Sequence, residues 1–296
     1  MIAAESAREA VAEQQAAGPI RHLAPAQRVG DGPVVRRVLI GAALVLTLLL
    51  LIAPILVIFA RAFSDGVGPY AANVLHPETR HAIWLTLLTV AVVLPVNLLF
   101  GLAAAWALTR FRFRGRRLLL TLVEVPFSIS PIVAGTTYLF LYGSQGLFGP
   151  WLAERGVQVM FSFPAIVLVS LFVTSPFVAR ELVTLMQAQG SDDEEAALSL
   201  GASGLQMFWR VTLPNIRWAL LYGAILCTAR TIGEFGAVSV VSGNVRGQTN
   251  TLPLQIELLY NDYNALGAFA AATILTLLAL VTVAAKAWVE GRARKT

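Results

Sequence analysis

SDDEEAALSLGASGLQMFWRVTLP, residues 191–214, lies in a hydrophilic insertion, about residues 187–214, between long apolar runs. Ser191 followed by Glu194 is an S-x-x-E capping-box pattern. Asp192, Asp193, Glu194 and Glu195 fill the first turn, where a helix dipole favours negative charge. Ala196, Ala197, Leu198 and Leu200 are strong helix formers, and Gly201 stops the helix. Ser203 with Gln206 makes a second capping pattern. It opens a short helix that carries Leu205, Met207, Phe208 and Trp209 and is expected to end before Pro214. The local physics gives helix, glycine break, helix, proline: a partly apolar knob. Two readings stand on these residues alone. One is an amphipathic pair lying on a membrane surface, which the acidic first turn disfavours because anionic lipid repels it. The other is a docking knob for a second protein.

Outward from the knob the chain is a membrane protein. Of its 296 residues 57% are hydrophobic and 13% charged, against about 25% charge in a soluble domain. So little charge cannot cover a water-exposed surface around so much apolar sequence. Six stretches are long enough to span a bilayer, which takes about 20 residues. They run over about Val38 to Ala60, Ile83 to Leu108, Leu118 to Leu141, Pro164 to Met186, Trp218 to Val241 and Leu266 to Trp288. Pro54, Pro95, Pro131 and Pro176 lie inside four of them, where kinks are expected. Residues 1–35 are polar and lack the apolar core of a signal peptide, so a loosely ordered tail is expected there.

Orientation follows from lysine and arginine. With the N-terminus in the cytoplasm, the inside receives Arg8, Arg21, Arg28, Arg36 and Arg37, then Arg110, Arg112, Arg114, Arg116 and Arg117. It also receives Arg180, Arg210, Arg217, Lys286, Arg292, Arg294 and Lys295. The outside keeps only Arg61, Arg80, Arg155 and Arg246. Both termini are therefore expected in the cytoplasm, as an even span count requires. The net charge of +5 reads as a topology signal and not as a nucleic-acid surface.

Little reactive chemistry is encoded. The one cysteine, Cys227, sits in an apolar run and reads as a packing residue. His22, His76 and His81 have no metal-ligand spacing, so no metal site is expected. A nucleotide-binding P-loop needs Gly-Lys before Ser or Thr, and neither Lys286 nor Lys295 follows a glycine. No catalytic residue or cofactor is expected in this chain, and an ATPase that drove it would be a separate subunit.

Charges inside a span are costly and usually functional. Arg230 and Glu234 stand four apart, on one helix face, where they can pair. Such a pair either locks helix packing or forms a gate. Ser128 and Ser130 precede Pro131, and Ser175 precedes Pro176. Their hydroxyls either line an anion pathway or only satisfy kinked backbone.

The knob resembles the EAA loop of ABC importer permeases, which reads E-A-A, three residues, Gly, nine residues, a branched apolar residue, any residue, Leu-Pro. Glu195, Ala196, Ala197, Gly201, Val211, Leu213 and Pro214 occupy those positions, with Glu194 immediately before them. The runs GEFGAVSVVSGNVRG (233–247) and TLPLQIELLY (251–260) are similar to those of CysW-type sulfate/thiosulfate permeases. HAIWLT (81–86), PVNLLFG (95–101) and FVTSPFVARELV (172–183) extend the likeness over about residues 36–290.

The resemblance implies a type I ABC importer permease fold: all-α, six transmembrane helices and a cytoplasmic coupling helix. It implies a permease domain over about residues 36–292, in a bacterial inner membrane, whose loop at 191–214 seats in an ATPase subunit. It further implies a paralogous sulfate permease, an ATPase dimer holding Mg-ATP and a periplasmic sulfate/thiosulfate-binding protein as partners. A molybdate or tungstate permease is the alternative within the class. A secondary anion transporter would need no ATPase. A membrane enzyme would need paired acids or an activated nucleophile, and the chain offers neither.

Overall fold

The computed structural model describes residues 33–293, so the expected tail over 1–35 lies outside the described residues but for its last three. The chain divides into two units between Pro54 and Ile55. All described secondary structure is helical.

In the first unit, α1 (Pro33–Thr47) runs into a π-helical turn, Leu48–Ile52, and its side chains from Val34 onward are exposed. The turn has a local cause. Pro54 has no N–H, and its ring would crowd the carbonyl four residues back. The wider π turn, in which the Ala53 N–H donates to the Leu48 carbonyl, removes that clash.

α2 (Ala53–Ala62) crosses the division, and the second unit holds the remaining helices, of which α3 is Val67–Val74. α4 (Pro77–Arg110) and α8 (Phe163–Gln189) pack along each other. α11 (Leu213–Ile232) lies against both, and α14 (Ala265–Ala293) covers α11. α8 is the most buried of the long helices. Its first half enters a core with Leu85, Ala134, Ala237 and Val241, and its second half enters another with Ala105, Leu108, Ile216 and Cys227. Close approach rests on glycine: a Cβ on Gly101 of α4 would stand 2.6 Å from Val178 Cγ1 and 2.9 Å from the Ala179 nitrogen of α8.

Among the described residues four helices are long and apolar enough to cross a bilayer: Val34–Ala62, Pro77–Arg110, Phe163–Gln189 and Ala265–Arg292. They coincide with the first, second, fourth and sixth apolar runs. The other two runs are not single helices. The third becomes α5 (Arg116–Ser128) and α6 (Pro131–Tyr142), bent by 108°. The break is steric, because a proline disfavours helix at the residue before it, and Ser130 takes ψ 134°. The fifth run ends as a helix at Ile232, breaks over residues 233–235 and resumes as α12 (Gly236–Val241). The bend before Pro131 falls where a proline kink was expected, whereas the break at 233–235 contains no proline and was not legible.

The remaining elements are α7 (Gly149–Ala153), α9 (Asp192–Ser199), α10 (Gly204–Met207) and α13 (Leu252–Asn261).

Candidate functional site: a fastened knob and two adjoining helix breaks

The knob forms as helix, turn, helix. α9 carries all four acids in its first turn, and Gly201 takes φ +89° after the C-cap Leu200. The second capping box forms in full: Ser203 Oγ accepts from the Gln206 N–H, and the Ser203 N–H donates to Gln206 Oε1. The first does not form. The Ser191 hydroxyl donates to Glu195 Oε1 at 2.6 Å, and Glu194 turns the other way.

The reason is a stronger partner. Arg110, the last residue of α4, brings its Nε to 2.5 Å from Glu194 Oε2. Its Nη2 donates to Glu194 Oε1 at 3.1 Å, and its Nη1 to the Met186 carbonyl of α8 at 3.3 Å. The Thr212 hydroxyl donates to the same Glu194 oxygen at 2.8 Å. The two charged side chains are 13% and 9% exposed. A carboxylate out of water takes a cation and a hydroxyl in preference to a cap that Ser191 could leave to solvent. Glu194 thereby ties the knob to the ends of α4 and α8 and to the turn before α11.

Pro214 does not end the second helix. α10 passes through a π turn, Phe208–Thr212, straight into α11, with the Leu213 N–H donating to the Phe208 carbonyl. This repeats the solution at Pro54, with the π turn again ending two residues before the proline. The expected positions therefore separate. Glu195, Ala196, Gly201 and Pro214 are exposed, Ala197, Val211 and Leu213 are half-buried, and Glu194 is buried. Leu200, Leu205 and Trp209 add exposed apolar surface to the knob. Arg110 and Thr212 escaped the sequence reading, since no spacing rule links positions 84 and 18 residues apart.

The second locus is where the interrupted helices meet. α6 and α12 pack with almost no side chain between them: a Cβ on Gly135 would stand 2.7 Å from the Ala237 carbonyl, and one on Gly236 would stand 3.3 Å from Pro131. The break at residues 129–130 thus adjoins the break at 233–235. Glu234 holds the latter. Its Oε2 lies 2.8 Å from Arg230 Nη1, and its Oε1 accepts from the Ala237 N–H in the first turn of α12. Glu234 is 1% exposed at its side chain and Arg230 31%. One carboxylate therefore caps α12, pairs with the end of α11 and fixes the turn between them.

Ser128 and Ser130 are exposed beside the break. Ser175 is half-buried and donates to the Phe172 carbonyl at 3.0 Å, the carbonyl that Pro176 leaves without an N–H. Nearby, Asn97 of α4 donates to Thr174 at 2.7 Å and approaches Cys227 Sγ of α11 at 3.6 Å, joining three helices in one buried polar contact. Among the described residues no group of His, Cys, Asp or Glu has the makings of a metal site.

A helical membrane subunit with a fastened knob and interrupted helices describes a class, and residues 97–295 match the model of the family "Binding-protein-dependent transport system inner membrane component". The chain belongs to that family. It is 56% identical over 254 residues to the sulfate transport system permease protein CysW of Escherichia coli strain K12, covering 86% of this chain and 87% of that one. It is 35% identical over 250 residues to the permease CysT of the same strain, covering 82% and 90%. In fold it matches a chain of a bacterial ABC transporter for import of the acidic polysaccharide alginate, with a TM-score of 0.72 at 17% identity over 88% of this chain and 96% of that one.

Proposed function

We infer that this chain is one of two permease subunits of an ATP-driven importer of sulfate and thiosulfate. The observation that carries the reading is the 56% identity to a sulfate permease, which runs through the spans as well as the knob. The lower identity to CysT supports a heterodimer of this chain with a CysT-like paralogue. The family's dependence on a binding protein supports delivery of the anion by a soluble periplasmic subunit.

The knob's exposed Glu195, Ala196, Leu200, Leu205 and Trp209 form the surface that an ATPase dimer, holding Mg-ATP, would grip. Glu194 and Arg110 would pass its movement to α4 and α8. In this reading the bent pair and the 20-residue α11 are one passage each, for six in all, and the arginine distribution puts both termini on the cytoplasmic side. A helix of that length spans about 30 Å. The adjoining breaks, with Arg230, Glu234, Ser128, Ser130 and Ser175 around them, are the candidate gate and pathway. This chain performs no covalent step.

Uptake of radiolabelled sulfate by cells lacking the chain tests the reading. ATP-dependent uptake is lost in those cells, and in the parent strain thiosulfate competes with it while molybdate does not. Intact sulfate uptake with lost molybdate uptake would overturn the substrate.

A further inference from the structure

The connection between α4 and α5 reads FRFRGRRL over residues 111–118, and every residue in it is exposed. Phe111 is 57% exposed and Leu118 64%, with Phe113 also open. Four arginines alternate with these apolar side chains, and residues 97–123 contain no aspartate or glutamate. Arg116 is committed locally, its Nε donating to the Leu108 carbonyl at 2.6 Å. Arg112, Arg114 and Arg117 have no ion pair or side-chain hydrogen bond among the described residues. Phe111, Arg112 and Arg116 also border a cleft of about 860 Å³, but Glu194 and Glu195 of the knob line it too, so the cleft itself is no seat for an anion.

We propose that residues 111–118 bind the headgroup of an anionic phospholipid: Arg112, Arg114 and Arg117 take the phosphate, and Phe111, Phe113 and Leu118 take the acyl chains. The reasoning is chemical. The guanidinium is a fork that matches phosphate oxygens and is weakly hydrated enough to enter the interface. Exposed phenylalanines within the same few residues fit the hydrocarbon that begins where the helices emerge. Only five residues separate the end of α4 at Arg110 from the start of α5 at Arg116, so the loop is held at the level where two apolar helices emerge. The knob, in contrast, stands out as a structured insertion and is the better seat for a protein. Arginine clusters immediately beside membrane-spanning helices on the cytoplasmic face are suited to anionic headgroups. The proposal rests on the chain's seat in a bilayer with this loop on the cytoplasmic side, and not on its substrate.

The test counts lipids bound to the purified importer in non-ionic detergent by native mass spectrometry, titrated with phosphatidylglycerol, phosphatidylcholine or inorganic phosphate. The wild type should retain phosphatidylglycerol roughly fivefold or more tightly than phosphatidylcholine. The variant Arg112→Gln/Arg114→Gln/Arg117→Gln should lose that preference, and the corresponding triple lysine variant should keep most of it. The three positions are exposed, so the fold does not depend on them, and single Arg112→Gln gives a smaller loss in the same direction. Equal retention of the two lipids by the wild type overturns the proposal, as does displacement of phosphatidylglycerol by inorganic phosphate. A glutamine variant that keeps the lipid preference but sheds the ATPase subunits overturns it in favour of a protein contact.

Discussion

Removing either partner of the Arg110–Glu194 pair tests whether the knob is fastened to the spans. Glu194→Ala leaves the Arg110 guanidinium nearly buried with only the Met186 carbonyl, and leaves Thr212 without its acceptor. Losing one member of a buried pair costs about 3–5 kcal/mol, and an orphaned hydroxyl about 1 kcal/mol more. Arg110→Ala strands Glu194 with Thr212 alone and costs about as much. The double variant removes both charges, so its loss should fall short of the sum of the two single losses by about 2–3 kcal/mol. Thermal midpoints of the purified importer give the stability cycle, and ATP hydrolysed per sulfate imported gives the transmission. If the knob moves the spans through this pair, the single variants hydrolyse ATP with a lower transport yield. Additive stability losses, together with an unchanged ratio of ATP to sulfate, would refute the reasoning.

Glu234→Gln keeps an acceptor for the Ala237 N–H but abolishes the ion pair, so a cycle with Arg230→Gln on assembly or uptake should show coupling, and additivity removes the pair. Gly135→Val drives a side chain into the Ala237 carbonyl and should cost about 1–3 kcal/mol by overpacking, read as a lower melting midpoint. Ser175→Ala should cost about 1 kcal/mol through the Phe172 carbonyl while leaving the sulfate concentration for half-maximal uptake unchanged; a large rise in that concentration would instead place Ser175 on the pathway. Ser203→Ala breaks the capping box at about 1 kcal/mol, and hydrogen exchange over α10 should report local fraying.

The residues by themselves determined where apolar runs lie, the acidic first turn of α9, the stop at Gly201 and the capping box at Ser203, because each depends on neighbours within a turn or on a window of hydrophobicity. They also paired Arg230 with Glu234, although Glu234 lies in the break after Ile232 and not on the helix face that the spacing implied. Tertiary structure decided the rest. Glu194 left its expected capping role because a cation arrives from 84 positions away, and no local rule foresees that competitor. The third run bent at Pro131, where a kink was expected, but the fifth broke at 233–235 without a proline, and α6 meets α12 through Gly135 and Gly236, a contact that exists only once the two are side by side. Pro214, a stop by local rules, became part of a continuous helix because a π turn is cheaper than ending a helix that packs along α4 and α8. Local propensities amount to tenths of a kcal/mol per residue, whereas burying a charge or a helix face amounts to several, so where the two conflict the packing prevails.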